Sequence, residues 1–505
     1  MTTHPKFRVL ILGIDGLDAD LLLRFRSRLP NFAKLMEKWP LLRMSSVFPP
    51  DSPTAWASLF TGLNPAKHGV ISFKDPLSHS KVGEYLNFSR NIVGDTFWDL
   101  AGKVNKKCCI IFPHLAYPPW KVNGILVSRT TEVDIQKFDI KTYPPNLPLG
   151  IDAAELKPMT SFSIDPGEIV QPTQRLIMNE VEFGIHLLKN YDWDVFFIFF
   201  SSLDNIEHVF WSFFDERDPD YERGNPYKQI IPHFYSFYDK NVIGRFTAAL
   251  GDYDILIVCS DHGHAIRPFK VIHVNELLAR TGLLKTKTRS KGLFEVEYLP
   301  ELVKIELARF ISENRLLAKF VSRILSLFPR SLELYTTLSS IEWGGTAAYL
   351  SDSSAGVKSY SYAGIRINRD VVSSSSYEEI RQSIMNILID IKDPKSSEPL
   401  IEWTMRREEL YGGPFLHSYP DILFKLRNDW GAGWEINGPL FGRSPSHKLF
   451  PGSHRRESAV FLLSSPEELN VQPKEVMITD IAPTIMDILG FKNLFSSRFD
   501  GKSLL

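Results

Sequence analysis

Residues 7–16, FRVLILGIDG, decide the fold. Phe7–Leu12 is apolar without polar alternation, the signature of a strand covered on both faces of a parallel sheet, and Asp15 follows it closely. Working outward, Val195–Phe200 is a second run of this kind and leads into Ser201, Ser202, Leu203 and Asp204. Ile255–Val258 is a third, and Ser260, Asp261, His262, Gly263 and His264 come soon after it. Cys108–Phe112 and Ala459–Leu463 share the character. Helical patterns lie between the runs, from Ser58-Leu59 onward, at Thr173–Lys189 and at Val476–Leu489. Alternation of strand and helix predicts an α/β fold with a mostly parallel central sheet flanked by helices. Ligands of such sheets gather at the carboxyl ends of the strands. The three acid and imidazole clusters are therefore expected to meet at one edge.

The 505 residues exceed what one hydrophobic core usually serves. Residues 1–268 and 345–505 are expected to form the main domain, with 269–344 inserted as a helical cap. The centre of that insertion, Leu302–Leu338, sets Arg309, Arg315, Lys319, Arg323 and Arg330 among Leu, Ile and Phe. This reads as an amphipathic stripe packing on its own protein, with an interfacial membrane helix as the second reading. A balance of 58 basic and 59 acidic residues gives no nucleic-acid-binding surface and no polyanionic tail. Function must then sit in local sites. Three cysteines make neither a disulfide framework nor a zinc knot. Cys108 and Cys109, within an apolar run, read as buried strand residues. The apolar stretch Val9–Ile14 is too short for a secretory signal, and no run reaches the ~18 apolar residues of a transmembrane segment. A cytoplasmic location is the expectation. Oligomeric state is not legible.

Asp204 and His208 stand four apart, so on a helix they share a face and can chelate one ion. Asp261-His262 is a second carboxylate–imidazole pair, and Gly263 after it permits a tight turn. Taken singly, these are ordinary: an Asp caps helices, and a lone histidine such as His454 in PGSHRRES is more often structural. Together, Asp and neutral His suit zinc or manganese, and the lack of paired cysteines removes a thiolate site. Two cations about 4 Å apart can clamp the attacking and leaving oxygens of a displacement at phosphorus.

The segment FPPDSPTAWASLFTGLNPAKHGV, residues 48–70, adds a hydroxyl to this set. With ILGIDG (11–16), SSLDNIEH (201–208), CSDHGH (259–264), GSHR (452–455), DIAPTIMDILG (480–490) and the final DGKSLL, it resembles the alkaline phosphatase superfamily. The closest branch is type I phosphodiesterase/nucleotide pyrophosphatase. The resemblance implies an alkaline-phosphatase-like fold and two divalent metal ions, zinc or manganese. Asp15, Asp261 and His262 would hold one ion with the nucleophile's oxygen, and Asp204, His208 and His454 the other. The family's Ser or Thr nucleophile lies nine residues before the threonine of a T-G pair. Counting back from Thr61 gives Ser52, with Thr54 as the alternative because this branch uses threonine. A serine phospho-enzyme acting on a small phosphate diester or nucleotide-like substrate is implied.

The chain also departs from the family. Ala55 stands where nucleotide pyrophosphatases carry a phosphate-holding Asn, and no arginine near Ser52 can clamp a monoester. Lys67, Arg455 and His264 are candidates for that duty. Trp56, Phe210 and Trp211 read as packing residues rather than as a base-stacking surface. A phosphomutase of the same superfamily would need a larger domain after the nucleophile. A sulfatase would need x-P-x-R after its Cys or Ser, where this chain has Ser52-Pro53-Thr54-Ala55. A binding protein that keeps the fold without the chemistry is the non-enzymatic alternative.

Overall fold

The computed structural model describes residues 7–73, 75–77, 92, 94–130, 138–158, 165–287, 340–354, 358–469, 471 and 475–505. Its central sheet has nine strands. In spatial order they are Val476–Met477, Leu42–Ser45, Ala459–Ser464, Asp254–Cys259, Arg8–Ile14, Val195–Phe200, Cys108–Ile111, Gly124–Arg129 and Ile140–Tyr143. The five from Asp254–Cys259 to Gly124–Arg129 run parallel. Ala459–Ser464 and Ile140–Tyr143 join antiparallel on either side. Helices flank the sheet, so the α/β expectation holds. All residues of Val195–Phe200 and Asp254–Cys259 are buried, which is why neither run alternates polar with apolar. Cys108 and Cys109 are buried strand residues, as expected, and Cys259 is buried as well.

The helix Ser52–Thr61 begins a turn and a half before the Ser58 start that its apolar pattern suggests. Pro53 is tolerated because a first-turn residue needs no amide hydrogen for the helix. Trp56 fixes this helix to the sheet. Its ring meets Phe199 at 5.1 Å between centroids and Phe60 at 5.6 Å, and it is fully buried. A Cβ on Gly13 would come within 2.9 Å of the Trp56 ring, so the bare glycine allows the helix to sit against the strand. Phe210 and Trp211 are also buried.

The short helix Pro65–His68 carries a prediction. Val70 N–H donates to His68 Nδ1 at 3.1 Å, so Nε2 bears the hydrogen and donates to Ser58 Oγ at 2.8 Å. Burial pushes the His68 pKa down to about 3 from its usual 6.5. The unfolded chain therefore takes up the proton first. Stability contributed by neutral His68 is fully present above pH ~6.5 and is lost as pH falls from there towards 3, at about 1.4 kcal/mol per pH unit. Urea unfolding of metal-free protein between pH 7 and 4 should show this slope added to that of the other buried neutral histidines, and His68→Gln should reduce it by about 1.4 kcal/mol per pH unit. An unchanged slope in the variant would contradict the assignment.

A second core, from Ile272 to Trp434, lies between Asp261-His262 and His454 along the chain. It packs a four-stranded antiparallel sheet (Ala348–Ser351, Tyr362–Ile367, Ile422–Leu426, Ile401–Arg406) with the helix Tyr377–Ile389. A three-stranded sheet of Trp430–Gly433, Lys270–His273 and Phe441–Arg443 adjoins it. The amphipathic stripe Leu302–Leu338 lies outside the described residues. Of the neighbouring segment, Lys270–His273 is a strand and Val274–Arg280 a helix, and the second core continues past residue 344. At the other end, Val476–Leu489 is not helical throughout. Val476–Met477 is a strand and the α-helix spans Ile481–Ile488, because the Asp480 carboxylate accepts from Met477 N–H and caps the turn before it.

Candidate metal centre and nucleophile

Three strand ends deliver the site. Asp15 follows Arg8–Ile14, and its amide donates to Phe200 O at 2.9 Å, continuing the parallel ladder by one residue. Asp204 lies in the first turn of the helix Ser202–Phe214, immediately after Val195–Phe200. Asp261 and His262 follow Asp254–Cys259. His454 arrives from far along the chain on an antiparallel pair, Gly452–Arg455 with Gly263–Ile266, in which it stands opposite His264.

Hydrogen-bond directions fix the histidines. His262 Nδ1 lies 3.1 Å from Gly263 O. A carbonyl only accepts, so Nδ1 carries the hydrogen and Nε2 presents a lone pair. That lone pair faces Asp261 Oδ2 at 3.2 Å, Asp15 Oδ1 at 3.5 Å and Ser52 Oγ at 3.2 Å. Ser52 Oγ is 3.4 Å from Asp15 Oδ1. His208 repeats the pattern. Nδ1 donates to Gly452 O at 2.8 Å, while Nε2 faces Asp204 Oδ2 at 3.3 Å and His454 Nε2 at 3.1 Å. His454 Nε2 is 3.8 Å from Asp204 Oδ1. The His262 and His454 rings stack at 3.9 Å, so the two groups adjoin. Burial, then the neighbouring imidazoles and Lys358, pushes the pKa of His208 and His454 well below the usual value. Both are neutral at pH 7, the form that binds metal.

These contacts fit divalent cations. Lone pairs aimed at carboxylates repel unless positive charge stands between them. Among the described residues Asp261 Oδ2 is buried without a hydrogen-bond partner. Donors bonded to one tetrahedral ion at about 2.1 Å stand roughly 3.4 Å apart, and the separations above cluster round that value. Asp15–Asp261–His262, Asp204–His208–His264 and Asp204–His262–His454 each bring donor atoms within 4.8 Å of one another.

The two hydroxyls differ. Thr54 is fully buried and its Oγ1 pairs with Ser72 Oγ at 2.8 Å, whereas Ser52 faces the carboxylates. The clamp candidates are engaged elsewhere: Lys67 pairs with Asp500, and Arg455 with Asp20 at 2.8 Å. His264 is buried beneath Asp204, its ring 5.2 Å from that of Trp211. Three nearby residues escaped the sequence reading. Asp51, the residue before the helix, makes no side-chain cap. Its Oδ1 lies 3.5 Å from His454 Nδ1 and accepts from Tyr362 OH at 3.3 Å. Its place beside Ser52 was the available signal. Glu207, fully buried, accepts from Tyr235 OH at 2.9 Å. It stands three residues after Asp204, a spacing that could have marked it. Lys358, whose charge reaches His208, His454 and Asp51, sits beyond a serine-rich loop with no local signal.

None of the curated proteins compared matches the chain. Among solved structures it is similar to phosphonoacetate hydrolase from Sinorhizobium meliloti 1021 in complex with phosphonoformate. The TM-score is 0.56 and the identity 14%, over 97% of this chain and 96% of that one. The same enzyme with phosphonoacetate gives a TM-score of 0.54 at 14% identity, with the same coverage. At that identity the likeness carries the fold alone, an alkaline-phosphatase-like α/β architecture. The family model for type I phosphodiesterase / nucleotide pyrophosphatase matches residues 9–322, more than half of the sequence. The chain therefore belongs to the type I phosphodiesterase/nucleotide pyrophosphatase family, a family of phosphoester hydrolases.

Proposed function

We propose that this chain is a two-metal hydrolase of small phosphate diesters or nucleotide-like pyrophosphates, acting through a phosphoserine at Ser52. The observation that carries the reading is the convergence of Ser52 Oγ, Asp15 Oδ1 and Asp261 Oδ2 on the Nε2 lone pair of His262. Asp15, Asp261 and His262 would hold one cation and Asp204, His208 and His454 the other, with zinc or manganese suited to such donors. Bound there, the cations would lower the pKa of the Ser52 hydroxyl and offset charge on the leaving oxygen.

The chain's own groups do the rest. Ser52 opens a ten-residue helix, so its oxygen and the free first-turn amides face the same phosphoryl group, a favourable place for an anion. Ser52 loses its hydroxyl proton to solvent as Oγ forms a bond to phosphorus and the bond to the leaving oxygen breaks, and that oxygen takes a proton from solvent. Water then attacks the phosphoserine, releasing the phosphate product and returning the proton to Ser52. Asp51, against His454 Nδ1, orients that imidazole. With Ala55 in place of a phosphate-holding amide and no arginine beside Ser52, a dianionic monoester lacks a clamp, which favours diesters. Among the described residues no helix is long and apolar enough to cross a membrane.

Turnover of bis-p-nitrophenyl phosphate, p-nitrophenyl phosphate and phosphonoacetate by zinc- or manganese-loaded protein tests the reading. The diester is expected to turn over fastest. Turnover of phosphonoacetate alone, or of none of the three, would contradict it.

A further inference from the structure

We propose that His114 is a substrate-binding residue of this centre, donating from Nε2–H to a non-bridging oxygen of the phosphoryl group beside Ser52. The inference rests on the phosphoryl-transfer reading and fills the oxygen contact that Ala55 leaves open. Four neighbouring parallel strands end at this edge of the sheet. Asp254–Cys259, Arg8–Ile14 and Val195–Phe200 deliver Asp261, Asp15 and Asp204. Cys108–Ile111 is the next in line, and His114 stands three residues past its end.

Ring contacts tie His114 to the nucleophile's helix. Its ring centroid is 5.6 Å from that of Phe199, and Phe199 in turn is 5.1 Å from Trp56. Trp56 stands four residues after Ser52 on the helix Ser52–Thr61, so the two share a face one turn apart. Two further features mark the residue. His114 Nε2 is buried with no hydrogen-bond partner among the described residues, a state that native structures rarely leave unused. The turn that carries it is also strained. Phe112 and Leu115 take φ of 55° and 59°, left-handed values that suit neither bulky side chain. The turn is pinned where Phe112 N–H donates to Val127 O at 2.7 Å. Backbone held in this way is concentrated at functional sites.

The chemistry of the donor suits a diester. Burial, then the charges of His262 and Arg129, pushes the His114 pKa down to about 3, so the ring is neutral at pH 7. A neutral imidazole carries one hydrogen and can place it on Nε2. Such a group gives a phosphoryl oxygen a directed hydrogen bond without adding positive charge. A guanidinium in its place would favour the dianion of a monoester through charge and paired donors. His114 thus sets the preference of the site towards the single negative charge of a diester.

Metal-loaded, full-length wild type, His114→Phe and His114→Gln give the test, with bis-p-nitrophenyl phosphate and the two phosphorothioate isomers of methyl p-nitrophenyl phosphate. His114→Phe is expected to lower kcat/KM for the diester on the order of 10²-fold at unchanged metal content. It should also change the ratio between the isomers by about 10-fold, because only one of them puts sulfur where His114 donates. His114→Gln keeps a neutral donor and should recover part of the rate. A purely structural role would leave the isomer ratio alone, so an unchanged ratio would overturn the role of His114. Crystals of metal-loaded wild type with orthovanadate do not depend on how a variant folds. They should show Nε2 within hydrogen-bond distance of a vanadate oxygen, and vanadate on Ser52 without that contact would overturn the inference while leaving the proposed function standing. No diester turnover by wild type would overturn both.

Discussion

Ser52→Ala should lower turnover of a phosphate diester by on the order of 10⁴-fold or more, the scale on which removing a covalent nucleophile acts. The loss should fall on kcat, because substrate would still meet the remaining donors. The structure gives a sharp contrast in Thr54. Its hydroxyl is spent on Ser72, so Thr54→Ala should cost about 1 kcal/mol of stability, from the partner left behind, with kcat nearly unchanged. Steady-state kinetics on both variants, with acid-quenched protein searched for phosphoserine in the peptide spanning Ser52, separates the two hydroxyls. An active Ser52→Ala beside an inactive Thr54→Ala would reverse the assignment.

Asp261→Asn should move stability in opposite directions with and without metal. In the metal-free protein the Asp261 carboxylate faces the His262 lone pair at 3.2 Å while its other oxygen accepts from Gly16 N–H at 3.3 Å. An asparagine keeps the second contact and turns the first into an N–H···N bond, so the metal-free variant should be more stable than metal-free wild type by about 1 kcal/mol. Metal binding should weaken by at least on the order of 100-fold. The gain that wild type draws from zinc, about 2.7 kcal/mol at a hundred times its dissociation constant, should shrink accordingly. Thermal unfolding with and without zinc reads both effects. A metal-free variant less stable than metal-free wild type would show that a proton or other group already screens the pair.

Much of the site was legible because the parallel core leaves a strong local trace. Strands covered on both faces have no polar residues to alternate, so the first residues able to carry charge are those just past their carboxyl ends. Asp15, Asp204, Asp261 and His262 were therefore placed by pattern alone. His454 was not: its position depends on the pairing of Gly452–Arg455 with Gly263–Ile266, a contact across nearly two hundred residues. Asp51 was passed over because the helical pattern was read only from Ser58 onward, so nothing marked the residue before Ser52, whose carboxylate is turned to His454. The strands of the second core stayed hidden for a different reason. Pieces as short as Lys270–His273 are too brief to show a period, and tertiary pairing supplies what propensity does not. The segment around them read as helical from residues further along.

The most direct test of the account is diester hydrolysis by protein stripped with a chelator and then titrated with zinc or manganese. Since every donor proposed at the centre is Asp, His or Ser, turnover should vanish in the stripped protein and return as ions are added back. Undiminished turnover by metal-free protein would contradict the account at its centre.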